Sequence, residues 1–187
     1  MPLYFAYGAN MDVEAMARRC PRSEPLGPAR LMRHRLAIMR EGWLTATRDA
    51  NGAVDGVLWR VALADVGALD RYEGLADGLY AKAAQPVVVA GGAKRALIYF
   101  GANDGPGVAR ADYIATVLAA ARRWGLPGAA IARLERFAAE ASAAPRPNPS
   151  PASGRGPIRR RPLLPLAGEG VGRSPPDEGP RRDPDPL

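Results

Sequence analysis

The stretch Tyr4-Phe5-Ala6-Tyr7-Gly8-Ala9-Asn10-Met11 sets the reading of the chain. Residues 3–7 are a short apolar and aromatic run that stops at Gly8, the pattern of a buried strand. Asp12 then caps a short helix reaching about Arg19, and Pro21 stops further helix. A strand passed through a Gly into a helix start aims several backbone N–H groups at one point, a ready site for a carboxylate or an oxyanion. Gly8 supplies conformational freedom there, and Asn10 tolerates a left-handed backbone and can bond its own main chain. On spacing alone the same residues also fit an ordinary strand-to-helix turn.

Working outward, residues 29–39 mix apolar and basic side chains and suggest one or two strands. Residues 43–47 and 54–62 read as further strands, with Asn51-Gly52 supplying turn chemistry between them. Residues 64–73 form a short helix, with Val66, Leu69 and Tyr72 at helical spacing and Gly74 as its C-terminal cap. Two β-type runs, 80–90 and 94–101, are separated by Gly91-Gly92. Two helices follow, one with its apolar face on Tyr113, Val117, Ala120 and Trp124, the other on Ile131, Leu134, Phe137 and Ala141. Strands early and helices late predict an α+β domain, a small curved or barrel-like mixed β-sheet flanked by helices.

Composition narrows the function. The 187 residues are 47% apolar and 24% charged, ordinary globular usage. One cysteine, Cys20, leaves no internal disulfide and no Cys-rich zinc site, and one histidine, His34, leaves no multi-histidine metal centre. No metal is expected. No apolar run approaches the roughly 18–20 residues of a membrane span, and the first residues lack the basic flank of a secretion signal. A cytoplasmic protein without membrane contact is expected. Neither a G-x-x-x-x-G-K-[ST] loop nor a strand-linked G-x-G-x-x-G occurs, which disfavours those forms of nucleotide chemistry.

Composition changes after Ala144. Residues 145–187 hold 12 of the 19 prolines and no aromatic residue, too little apolar surface to offset the entropy of ordering them. They are expected to be a disordered Pro/Arg/Gly-rich tail on a domain spanning 1–144. The chain carries a net charge of +7, and Arg159-Arg160-Arg161 could touch a polyanion. No nucleic-acid-binding motif accompanies that run, so it reads as a solvated extension and no nucleic acid partner is expected.

Candidate chemistry lies in Asp70-Arg71-Tyr72-Glu73-Gly74. Asp70 and Glu73 are three apart and can share a helical face, as they would on any solvated helix. Glu73 falls in the last turn, where the helix dipole disfavours an anion. Partial burial there would raise its pKa toward neutrality, which suits a proton shuttle. Tyr80 and Tyr113 each open an element after a Gly-containing loop and could offer hydroxyls to a cleft, or serve as rim aromatics. Cys20, beside Arg18, Arg19 and Arg22, has no Cys-His motif around it and reads as structural. His34, between Arg33 and Arg35, reads as a neutral surface or strand residue.

In combination and in order, these segments resemble the γ-glutamylcyclotransferase-like family. Residues 4–11 resemble its opening Tyr-Gly-Ser-Asn loop, with Ala9 where Ser is usual. Val54-Asp55-Gly56-Val57-Leu58-Trp59 is similar to the strand before the catalytic region, and Leu69-Asp70-Arg71-Tyr72-Glu73-Gly74 to the segment carrying the catalytic glutamate. Gly78-Leu79-Tyr80 matches a later aromatic position. Tyr113 and Gly125-Leu126-Pro127 resemble the closing helical part. The resemblance spans about 1–142 and implies a compact barrel flanked by helices. It implies cyclisation of a γ-glutamyl group to 5-oxoproline, with Glu73 as general acid and base and Tyr7, Gly8, Ala9, Asn10, Met11, Tyr80 and Tyr113 binding substrate. The partner it implies is a small γ-glutamyl amino acid or amine, with no cofactor, and the protein is expected to be a monomer or weak homodimer. The alternative is a non-catalytic small-molecule or protein-binding module on the same fold.

Overall fold

The computed structural model describes residues 1–144, and the expectations for 145–187 lie outside them. Five strands, β1 (Leu3–Ala6), β2 (Glu24–Ile38), β3 (Leu44–Arg60), β4 (Tyr80–Val89) and β5 (Gly92–Gly101), close into a barrel in the order β1-β3-β2-β4-β5. Four pairings are antiparallel. The fifth, β1 with β5, is parallel, matches Tyr4 with Leu97 and closes the ring. Four helices surround it: α1 (Val13–Arg19), α2 (Leu63–Tyr72), α3 (Ala111–Arg123) and α4 (Gly128–Ala143). The mixed, barrel-like α+β architecture expected from the sequence is the one observed.

The long β2–β3 hairpin differs from the expectation. Residues 43–47 and 54–62 belong largely to one strand, β3, and the chain reverses at 39–43 instead. There the Met39 N–H donates to Trp43 O at 2.8 Å, and Gly42 takes a φ of 85° that favours glycine. Asn51-Gly52 loops out without reversing the chain. Met32 pairs with Ala53 and His34 with Arg48, so Arg33 alone opposes residues 49–52. Asp49 Oδ1 accepts from the Asn51 N–H at 3.1 Å, the side-chain turn that Asp and Asn favour. The turn chemistry is real, but pairing with β2 on both sides makes it a bulge.

Closure depends on a close approach. A Cβ on Gly56 of β3 would lie 2.2 Å from Ala6 O and 2.8 Å from the Phe5 ring. Hydrogen alone fits where β1 crosses. Phe5, Leu31, Leu44, Trp59 and Ile98 fill the core. The buried face of α3 carries Ile114, Val117, Ala120 and Ala121, and the Trp124 indole N–H donates to Met11 O at 2.8 Å, tying the end of α3 to the opening segment. His34 lies on β2 but is buried against Phe100, not at the surface; its neighbours Arg33 and Arg35 point the other way along the strand alternation. Cys20 is fully buried, and burial followed by the charge of Asp65 pushes its thiol up against the pull of Arg19, in keeping with a structural residue. Among the described residues no helix is long and apolar enough to cross a membrane.

Candidate active site

Two chain segments far apart in sequence meet where β1 stops and β3 and β4 begin. The first is the opening segment. After Ala6 the chain passes Gly8 into a single 3-10 turn, Ala9–Met11. Asp12 then caps α1, its side chain accepting from the Ala15 N–H at 2.7 Å. The second is the end of α2. Gly74 adopts a φ of 62°, the Gly74 N–H bonds Arg71 O, and the Leu75 N–H bonds Asp70 O, each at 3.1 Å. This paired closure is the common way a helix satisfies its last carbonyls through a left-handed glycine. It leaves Glu73 as the C-cap residue, at the point where the chain leaves the helix.

Between the two segments lies a cavity of about 180 Å³. That is many times the roughly 10–15 Å³ needed for one water. Glu73 lines it together with Gly8, Ala9 and Asn10, and aromatic rings make most of the remaining wall. Glu73 Oε1 accepts from Asn10 Nδ2 at 2.7 Å and from the Tyr4 hydroxyl at 3.3 Å. Asn10 Nδ2 also donates to Tyr4 Oη at 3.0 Å, and Asn10 Oδ1 accepts from Arg19. Burial pushes the Glu73 carboxyl from its ordinary 4.5 up to about 7, against the Tyr4 hydrogen bond, the charge of Arg19 and the Asn10 hydrogen bond, which all favour the anion.

Asp70 shares the helix and has the opposite setting. Burial pulls its pKa upward, but hydrogen bonds from Lys82 and Tyr99 and the charge of Lys82 hold it below the usual value. The Lys82 ammonium lies 2.7 and 2.8 Å from the two Asp70 oxygens. Two carboxyls three residues apart are thus driven in opposite directions, the pattern that separates a structural anion from a proton carrier.

Most of the residues expected at the site converge there, but several do so for other reasons. Gly8 has an ordinary φ of −121°. What demands glycine is Tyr113, whose hydroxyl oxygen would sit 2.7 Å from an added Cβ. Asn10 is not left-handed and does not bond its own backbone; its side chain is spent on Glu73, Tyr4 and Arg19. Met11 does not line the cavity. Its side chain is buried in the core, its N–H bonds Gly8 O at 3.0 Å, and its carbonyl holds Trp124. The Tyr7 hydroxyl donates to Tyr99 O, and the Tyr80 hydroxyl to Leu44 O at 2.8 Å. Tyr113 Oη accepts from the Leu44 N–H at 3.3 Å, which leaves its proton available to the cavity.

Sequence reasoning missed Tyr4, Arg19, Trp43, Tyr72 and Tyr99. Tyr4 reads in the sequence simply as a strand residue. Nothing local marks Arg19, because its partner Asn10 lies across a helix cap. Trp43 packs edge-on to Tyr113 at 4.9 Å, and the Arg19 guanidinium stacks on the Tyr72 ring at 3.2 Å. Among the described residues no group of three or more His, Cys, Asp or Glu is placed to hold a metal ion.

The family model described as gamma-glutamyl cyclotransferase, AIG2-like, matches residues 4–116. The chain belongs to that family. A solved structure described as gamma-glutamyl cyclotransferase is 24% identical, with a TM-score of 0.67 over 72% of this chain and 86% of that one. The human protein loc79017 is 25% identical, with a TM-score of 0.66 over 71% and 85%. YkqA from Bacillus subtilis is 21% identical with a TM-score of 0.65, and its match to 74% of this chain takes in 54% of its own. At these identities the likeness shows the shared fold. No curated protein sequence matches the chain.

Proposed function

We propose that the protein is a cytoplasmic γ-glutamylcyclotransferase-like enzyme that converts a γ-glutamyl amino acid or amine to 5-oxoproline and releases the amino acid or amine. One observation carries the reading: a carboxyl whose pKa lies near 7 faces a cavity between the α2 cap and the opening turn. Such a group is present in both protonation states at neutral pH, which is what a proton shuttle requires.

The chemistry is intramolecular. Ionised Glu73 takes a proton from the α-ammonium of the γ-glutamyl group. The freed nitrogen attacks its own γ-carbonyl, the five-membered ring closes, and the carboxyl returns the proton to the departing nitrogen. The α-nitrogen loses two protons on becoming a lactam N–H, and the leaving nitrogen gains two on becoming an ammonium. The reaction therefore needs no net acid or base. General acid–base catalysis of this kind is worth about 10²–10⁴-fold. A well-placed backbone donor on a developing oxyanion contributes about 3–4 kcal/mol. The N–H groups of Gly8 and Asn10 suit either that oxyanion or the substrate α-carboxylate, while the Ala9 N–H faces the Tyr113 hydroxyl. The Tyr113 hydroxyl, beside Gly8, would orient a polar group of the substrate. Folding the substrate for ring closure supplies the orientation component.

The test is incubation of the purified protein with a panel of γ-glutamyl dipeptides and a γ-glutamyl amine, with 5-oxoproline as the readout. Release that is lost in Glu73→Gln supports the reading. Release unchanged in that variant removes Glu73 from the mechanism, and no release from any member of the panel favours a binding module.

A further inference from the structure

The Asn10 amide has two chemically different ends, and its orientation decides what Glu73 meets. Nδ2 is a double donor and Oδ1 an acceptor. In the structure Nδ2 faces Glu73 Oε1 at 2.7 Å and Tyr4 Oη at 3.0 Å, while Oδ1 faces Arg19. Rotating the amide by half a turn would set an acceptor against the carboxyl, and only a protonated Glu73 could bond it. Nothing in Tyr4 prevents that rotation, because a hydroxyl can donate as well as accept. Arg19 does prevent it. A guanidinium has five donors and no acceptor, so it tolerates only the oxygen end of the amide.

We propose that Arg19 is a positioning residue that locks the Asn10 amide with its donor end toward Glu73. The inference deepens the catalytic reading of Glu73 and rests on it for its kinetic consequence alone. Arg19 is itself well held. It ends α1, whose start is fixed by the Asp12 cap, and its guanidinium carbon sits over the Tyr72 ring at 3.2 Å, one residue before Glu73. The clamp therefore joins the opening segment to the end of α2 from outside the cavity.

The other groups facing Glu73 leave Arg19 as the charge that matters. Tyr4 of β1, Tyr7 just after it, Tyr80 of β4, Tyr99 of β5 and Tyr113 of α3 are all pushed upward, chiefly by burial, and stay neutral through the physiological range. Asp70, on the same helix, is neutralised by Lys82.

The experiment is an NMR titration of the Glu73 side-chain carboxyl in the full chain, with carbon-13-labelled glutamate and Glu73→Gln to assign the signal. Arg19→Gln, whose own amide can face either way, is expected to raise the Glu73 midpoint by about one pH unit, an ordinary size for loss of a neighbouring charge and donor. Arg19→Lys, which keeps a charge and only donors, is expected to hold the midpoint near the wild-type value. In an Asn10→Ala background the Arg19→Gln shift should shrink, since no amide remains to turn. An unmoved midpoint in Arg19→Gln overturns the inference. So does an equal shift with and without Asn10, which would assign Arg19 a charge effect alone. If Arg19→Gln does not fold, the wild-type Asn10 side-chain NH₂ signals give the answer: they must move with the Glu73 midpoint, and signals that do not respond overturn the lock. Absent 5-oxoproline release with these shifts intact removes the cyclotransferase reading only. Release in the wild type together with an unmoved midpoint in Arg19→Gln removes this inference only.

Discussion

The side-chain amide of Asn10 stands 2.7 Å from Glu73 Oε1, joining residues 63 positions apart across the mouth of the cavity. One is fixed by the turn after β1 and the other by the glycine-closed end of α2. The carboxyl thus keeps specific partners while losing most of its water, and the second effect exceeds the first.

That imbalance gives a pH dependence with a defined sign. In the proposed reaction the anion takes the substrate proton, so kcat/KM should rise with pH through a midpoint of about 7. Stability should run the other way. A carboxyl with a raised folded-state pKa holds its proton more tightly when folded, so its contribution is full below the ordinary 4.5 and is lost as pH rises through about 7. Glu73→Gln should therefore gain stability relative to wild type as pH increases from 5 to 8, up to about 3 kcal/mol. Urea unfolding at the two pH values checks this, and a difference that does not change with pH would contradict the burial argument.

Gly8→Ala should damage the site through Tyr113. The new Cβ would come 2.7 Å from Tyr113 Oη, so the ring or the turn must move. A drop in kcat/KM of at least about tenfold is expected, the size that corresponds to 1.4 kcal/mol. Tyr113→Phe removes the clashing oxygen, so the double variant should fold more stably than Gly8→Ala alone. A double-mutant cycle by thermal unfolding measures the coupling.

Ala9→Ser adds a hydroxyl to the opening turn without disturbing the fold, because Ala9 lines the cavity and is not part of the core. One neutral hydrogen bond is worth about 0.5–1.5 kcal/mol, so the substrate panel should change by no more than about tenfold. A uniform change would assign the hydroxyl to the γ-glutamyl part, and a change for some leaving groups only would assign it to the departing amine.

Gly56→Ala tests barrel closure. With Ala6 O at 2.2 Å and the Phe5 ring at 2.8 Å from the new carbon, β1 must shift outward. Overpacking of this kind costs about 1–3 kcal/mol. Gly91→Ala, with open space around it, should be nearly silent in the same denaturation assay.

Short-range patterns carried most of the architecture. The Asp12 cap, the Gly74 stop and the apolar face of α3 each depend on residues a few positions apart, so they are legible in the sequence. Asn51-Gly52 misled because the same local turn chemistry serves a reversal or a bulge, and only the partner strand decides which. At the site, Glu73 could be picked out because a carboxylate at a helix C-terminus is locally unfavourable. Arg19 could not, since its meaning comes from an amide on another element and a ring on a third. Gly8 stands out in the sequence for its backbone freedom, whereas the structure requires glycine there because of a hydroxyl more than a hundred residues away.

The parallel contact of β1 with β5 rests on a single matched pair, Tyr4 with Leu97, and the same tyrosine donates to Glu73. Prising that seam apart would pull the phenol off the acid and flood it with solvent. The acid would then ionise as readily as one in a free peptide, so its titration doubles as a gauge of whether the ring of strands is shut.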